Sequence, residues 1–228
     1  MKKLLLLLLL VIVSTQLFTS CIATRSYISE TSVLQKIEKP KEKHVIISVE
    51  DDIRVNNFTK TFKKNYTKKS DFASTFTLDF LNIANKKRTF ASVTTNEVNK
   101  WKVLDESKLE ENQQKIDSLF NKVKGDYLIN FSDFEITNRI ETFHHAPAMG
   151  PNGTFAGGRQ TTTEYCIVNA KVAVYDLITR KKIIEFVSVG EKSVFLFNFK
   201  DTLNKAKMRA IEHAIDYINS GKTTYTVM

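Results

Sequence analysis

Apolar residues along this chain recur with two different spacings, and the spacing separates helices from strands. Val45-Ile46-Ile47-Ser48-Val49 is a short β-branched run, which predicts a buried strand closed by Asp51-Asp52. Residues 53–69 are ambiguous, although Phe58, Phe62 and Tyr66 recur every four residues and suit a helix face. Ser70 reads as an N-cap for a helix in which Phe72, Ala73, Phe76, Phe80, Ile83 and Ala84 share one side, ending near Asn85. Residues 88–94 form the next strand, and Ser107-Lys108-Leu109-Glu110 has capping-box form. With Ile116, Leu119, Phe120 and Val123 on one face and Gly125 as a stop, it predicts a helix over 107–124.

From Asp126 to Phe143 the period is two. Tyr127, Ile129 and Phe131 alternate, then the phase slips and Phe134, Ile136 and Ile140 continue at even positions, as a β-bulge would cause. Thr162–Leu177 is a second long strand, with Cys166, Val168, Ala170, Val172 and Val174 on one face. Asp176–Arg180 reads as a tight turn and Lys182–Val189 as the return strand. Asp201 then caps a last helix striped by Leu203, Ala206, Ala210, Ile211, Ala214, Ile215 and Ile218, with Gly221 ending it. The expected fold is α/β (α+β): one domain over 44–228, with a single mixed sheet of about five strands, an antiparallel three-stranded meander and three helices, in the order β-α-β-α-β-β-β-α.

The amino-terminal residues follow a different logic. Lys2 and Lys3 precede Leu4–Leu10 and Val11-Ile12-Val13, a run of ten apolar residues. That is about half of the ~20 that a membrane-spanning helix needs. A polar break follows, then Leu17-Phe18-Thr19-Ser20-Cys21. This resembles a bacterial lipoprotein signal peptide over 1–20 with its lipobox, which implies acylation of Cys21 and membrane attachment through the lipid. Ile22-Ala23-Thr24-Arg25 holds no Asp beside the cysteine and no acidic run, so the expected location is the outer membrane, facing the periplasm. Residues 21–43 are polar and charged, and the expectation is a flexible lipid-anchored tether.

Charge narrows the choice of partner. The chain of 228 residues carries 34 Lys and Arg against 25 Asp and Glu, a formal charge of +9. Lys60, Lys63, Lys64, Lys68 and Lys69 form one basic cluster and Lys86-Lys87-Arg88 another. Such clusters suit lipid headgroups, acidic glycans or an acidic protein face, or they are simply solvated faces. No nucleic acid is expected outside the cytoplasm. If Cys21 carries lipid, Cys166 has no partner cysteine, and its apolar neighbours make it a small buried hydrophobe rather than a nucleophile.

Chemistry-bearing motifs are scarce. The one irregular segment, 144–160, holds four of the seven glycines and two of the three prolines. It reads as a long mobile hairpin loop, with His144, His145, Phe155 and Arg159 as partner-binding candidates. Phe195, Phe197 and Phe199 alternate in a second stretch, which suits core and, failing that, an edge used in assembly. Adjacent residues on a strand point to opposite faces, so His144 and His145 do not readily share a metal. There is no HExxH, CxxC, GxSxG or phosphate loop, and Gly157-Gly158-Arg159 lacks the GK[ST] ending. No metal, cofactor or catalytic residue is therefore expected.

Two clusters carry a family resemblance. Gly125-Asp126-Tyr127-Leu128-Ile129-Asn130-Phe131, then Val172-Ala173-Val174-Tyr175-Asp176-Leu177-Ile178-Thr179-Arg180, then an Ala-rich last helix resemble a small α/β domain over about 44–220. That domain is shared by the curli-secretion lipoprotein, the lipoprotein activators of penicillin-binding proteins and the N-terminal domain of the Tol-system β-propeller protein. Arg180 stands where the group usually has Gly. The resemblance implies a non-catalytic envelope role: a binding, assembly or activator module with an envelope protein partner. The alternatives are an envelope hydrolase near the 144–160 loop, which would need His144, Glu164 and Arg139 to converge, and a homo-oligomeric ring component of a secretion system. A β-barrel pore is disfavoured, because Arg139, Glu141, Thr162 and Glu164 interrupt any lipid-facing band.

Overall fold

The computed structural model describes residues 26–33, 37–95, 124–144, 148–149, 155–156, 158, 160–195 and 198–222. The strands are β1 (Ser26–Val33), β2 (His44–Val49), β3 (Ile53–Val55), β4 (Ser92–Thr95), β5 (Tyr127–His144), β6 (Ala148–Met149), β7 (Phe155–Ala156), β8 (Gln160–Asp176) and β9 (Lys181–Ser193). The helices are α1 (Thr59–Asn65), α2 (Lys69–Lys87) and α3 (Phe199–Ser220). Seven strands form one sheet in the order β1-β9-β8-β5-β2-β4, with β3 also alongside β5. β2 runs parallel to β4 and β5, whereas β5, β8, β9 and β1 are successively antiparallel. The mixed sheet, the meander and the element order are those the sequence implies. The helix expected over 107–124 lies outside the described residues.

Two strands of this sheet are not evident from the sequence. β3 is three residues long, too short for its period to show, and lies in the stretch left ambiguous. β1 lies inside the expected tether, and this corrects that expectation. It pairs with β9 from Ser26↔Gly190 to Val33↔Ile184, and Ile28 and Ile37 are buried in the core. The sequence SYISETSV alternates too weakly to announce a strand. What holds it is the backbone of β9, which would otherwise be an open edge.

α2 and α3 lie on one face of the sheet and meet each other. The layer between them and the sheet is aromatic. Phe76 stands 4.9 Å from Phe131 and 5.0 Å from Phe134, while Phe72 meets Phe134 at 5.5 Å and Phe80 meets Phe131 at 5.4 Å. Ring pairs of this kind contribute about 1 kcal/mol each beyond their burial. The predicted bulge falls between Ser132 and Glu135, and Asp133 takes the left-handed conformation, φ 47°. Helix starts differ slightly from expectation. α2 begins one residue before Ser70, with the Asp71 carboxylate accepting from the Lys68 N–H at 2.8 Å. α3 is capped by Asn198, which accepts from the Asp201 N–H, rather than by Asp201 itself. Among the described residues no helix is long and apolar enough to cross a membrane.

α3 approaches β9 closely because small residues face each other. Ser188 donates to the Ala210 carbonyl at 2.7 Å. A Cβ on Gly190 would overlap the Ala206 carbonyl oxygen and the Ala210 amide nitrogen. Gly190→Ala should therefore push α3 off the sheet and lower unfolding free energy by about 3 kcal/mol, near the upper end for overpacking, as read by urea denaturation. A midpoint equal to wild type would refute this contact.

His213 on α3 is buried. Burial first, then Lys87 and Arg209, hold its imidazole below the ordinary value of 6.5, with Asp216 opposing. The folded chain therefore takes up this proton at lower pH than the unfolded chain, which binds it as pH falls through about 6.5. Stability should be full well above that pH and decline as pH falls through it, by at most about 1.4 kcal/mol per pH unit. His213→Gln should flatten that decline in urea titrations; an unchanged slope would contradict it.

Candidate functional site

The functional candidates gather at one end of the sheet. β3 leaves β5 at Val55↔Ile136, and the amides of Asn56 and Asn57 still reach the Ile136 carbonyl. β9 leaves β8 at Ser193↔Tyr165, with the Val194 N–H reaching the Glu164 carbonyl. Beyond these points β5 and β8 pair only with each other among the described residues, from Arg139↔Tyr165 to His144↔Gln160. They form a two-stranded arm of about 20 Å at the usual strand rise. β6 and β7 pair beyond its tip, Met149 opposite Phe155, so the segment expected as a plain loop contains a second short ribbon. Burial fades outward along the arm: Ile136 is fully buried, whereas Ile140 is 61% and Phe143 53% exposed.

At the root of the arm one cation holds two carboxylates. Arg139 pairs with Glu141 and, through Nη2 at 2.5 Å, with Glu191, which is almost fully buried. Its guanidinium also lies over the Tyr165 ring, 4.4 Å from the centroid. Glu164 faces the other side, opposite Ile140, where its Oε1 accepts from Asn138 Nδ2 at 2.9 Å. His144 is exposed at the far end of the strand. The convergence of His144, Glu164 and Arg139 that a hydrolase needs is therefore not formed: Arg139 and Glu164 lie on opposite faces. Burial, reinforced by Glu164, pushes the Cys166 thiol far above its ordinary range, leaving it an inert core residue. Among the described residues no cluster of His, Cys, Asp or Glu could hold a metal ion.

The remaining predicted residues divide as follows. Phe195 is 62% exposed just past β9, so it is not core. Phe199 opens α3, and its ring meets Phe58 at 5.7 Å. Phe155 lies in β7. Cys21, His145, Arg159 and Phe197 lie outside the described residues.

Sequence reasoning missed a polar pocket beside the arm root. Asn65, Tyr66 and Thr75 line one side; Asn198, Lys200, Asp201, Asn204 and Lys207 line the other, around a cavity of about 330 Å³. The volume is at the lower end of the range for small-molecule sites. Lys207 is the unusual member. Its side chain is 3% exposed, and Nζ sits 2.7 Å from Asp79 Oδ2 and 3.3 Å from Thr75 Oγ1. The Tyr66 and Phe72 rings flank the ammonium at 5.7 and 5.9 Å. The Asn65 side-chain oxygen is buried with no hydrogen-bond partner among the described residues. With its buried cation neutralised by Asp79, the pocket is built for hydrogen bonding rather than proton transfer. Its one legible signal was a Lys within the apolar stripe of α3.

Removing one partner of such a pair costs more than removing the charge that is buried. Asp79→Asn strands the Lys207 ammonium and should cost about 3 kcal/mol, whereas Lys207→Met should cost much less. Chemical denaturation distinguishes the two, and equal losses would refute the asymmetry.

No protein-family model and no curated protein matches this chain. Among solved structures it is similar to the PelC dodecamer from Paraburkholderia phytofirmans, at 8% identity and a TM-score of 0.39, covering 83% of this chain and 95% of that one. It is also similar to a homolog of the neuraminyllactose-binding hemagglutinin from Helicobacter pylori, at 9% identity and a TM-score of 0.41, covering 83% of this chain and 90% of that one. The reading of function rests on the chain's own residues.

Proposed function

We propose that this chain is a bacterial envelope lipoprotein, anchored in the outer membrane through Cys21 and facing the periplasm, whose body is a non-catalytic binding or assembly module. The observation that carries the reading is the arm. Its two strands lack further strand partners beyond Ile136 and Tyr165 among the described residues, and it exposes Ile140 and Phe143. A ribbon of this kind offers backbone amides and carbonyls to a strand of another protein, with apolar side chains alongside to select it. The enzyme alternative is weakened by the dispersal of His144, Arg139 and Glu164. The support for the anchor is the Lys2–Cys21 pattern.

Two measurements test the reading. Deleting residues 146–158 should leave the thermal melt of the body unchanged, because core residues lie elsewhere, and should remove the partner captured by cross-linking in the intact envelope. An unchanged set of cross-linked partners would overturn the binding role. Metabolic labelling with radioactive palmitate should mark wild type and not Cys21→Ala; equal labelling would overturn the anchor.

A further inference from the structure

The strand directions place the start of β1, the arm and the main basic cluster at one end of the body. β1 begins at Ser26 opposite Gly190, three residues before β9 ends at the arm root, and runs away from the arm to Val33. β3 runs parallel to β5, toward the arm, and delivers the chain there into α1. The Asn57 amide bonds Asn138 Oδ1 at 2.5 Å, which ties the approach to α1 to the arm root. Phe58 against Phe199, and the pocket shared by Asn65, Tyr66 and Asn198, tie α1 to the start of α3. Lys60, Lys63, Lys64, Lys68, Lys69 and Lys200 are all exposed on these segments. Nearby Asp71 is engaged by the Lys68 amide, and Asp201 is paired with Lys205 at 2.7 Å. Asp51, Asp52 and Asp133 sit further back, at the level of the bulge. Among the described residues, three of the five exposed large hydrophobics, Ile140, Phe143 and Phe195, belong to this same end, whereas Ile178 marks the opposite one. Behind the surface, burial and the nearby Arg209 and Lys205 depress the Lys192 ammonium, a sign of crowded cations.

We infer that this end of the body is a membrane-facing surface that docks on anionic lipid headgroups through its lysines, with Phe195, Ile140 and Phe143 entering the interfacial region. The inference deepens the lipoprotein reading and rests on it for orientation. Only four residues separate Cys21 from Ser26, a reach of at most about 18 Å at full extension. A lipid on Cys21 would therefore hold the arm end of the sheet against the bilayer, not on a long leash. Clusters of four to eight basic residues beside an anchor bind anionic leaflets, and an acyl chain plus a basic patch is a standard pair of attachment signals. The partner of the arm would then be met at the membrane surface.

The test uses the mature chain with Cys21→Ser, so that no lipid contributes, and sedimentation with vesicles. It should bind vesicles of phosphatidylglycerol and phosphatidylethanolamine, bind neutral phosphatidylcholine at least roughly tenfold more weakly, and dissociate when salt rises well above 0.1 M, where charge attraction is screened beyond about 10 Å. Lys60→Gln/Lys63→Gln/Lys64→Gln should weaken binding roughly tenfold or more, and Phe195→Ser should weaken it with little change in salt dependence. All four positions are exposed, so circular dichroism melts should match the parent chain. Indifference to phosphatidylglycerol would leave the lysines to an acidic protein and overturn the inference; so would undiminished binding by the triple variant. Palmitate labelling reads the anchor separately: lipid on Cys21 with no vesicle binding sinks the surface alone, and vesicle binding without lipid sinks the anchor alone.

Discussion

The ladder between β5 and β8 is the interaction on which the rest depends, and its single register shift is the constraint within it. β8 keeps one phase throughout, with Cys166, Val168, Ala170 and Val172 fully buried. β5 cannot do so, because Tyr127, Ile129 and Phe131 sit at odd positions and Phe134 and Ile136 at even ones. Between Ser132 and Glu135 the chain advances three residues while β8 advances two, from Lys171 to Asn169. The extra residue returns Phe134 to the helix-facing side, where Phe72 and Phe76 meet it. Without it Asp133 and Glu135 would point into an aromatic layer, at the cost of burying two carboxylates.

The same ladder fixes the polarity of the molecule. Because β5 and β8 outrun their neighbours, one end of the sheet, the open end, carries the two-stranded arm, and the other, the closed end, carries the tight turn that joins β8 to β9. At the closed end the Asp176 carboxylate accepts from the amides of Ile178 and Thr179, at 2.8 and 2.9 Å, and Arg180 takes φ 58°. That left-handed conformation is one a glycine would adopt without strain. β1 and β9, being antiparallel, bring Ser26, the first residue of β1, to the open end. A membrane anchor at that terminus thus has a geometric consequence that no helix or pocket could supply.

How much of this was legible follows from the strength of each local signal. The bulge was readable because five large apolar residues report the phase on either side of it. α2 and α3 were readable from stripes more than three turns long. β1 was not, since its pairing is decided by the neighbouring backbone. The pocket was not, because Asn65 and Thr75 come together with Asn198 and Lys207 only when α2 and α3 pack. The alternation of Phe195, Phe197 and Phe199 suggested core, yet Phe195 is exposed and Phe199 starts a helix: a period of two over five residues is too short to separate a strand from a loop that precedes an N-cap. The arm was visible as two long strands, but not its chemistry, because register alone decides that Arg139 and Glu164 face apart.

In the orientation we propose, the open end of the sheet faces the bilayer and the closed end faces away. Fluorophores on single cysteines introduced at His144 and at Ile178, in the lipid-anchored protein on vesicles carrying headgroup quenchers, measure it directly. The account expects strong quenching at position 144 and little at 178; equal quenching, or the reverse order, would contradict it.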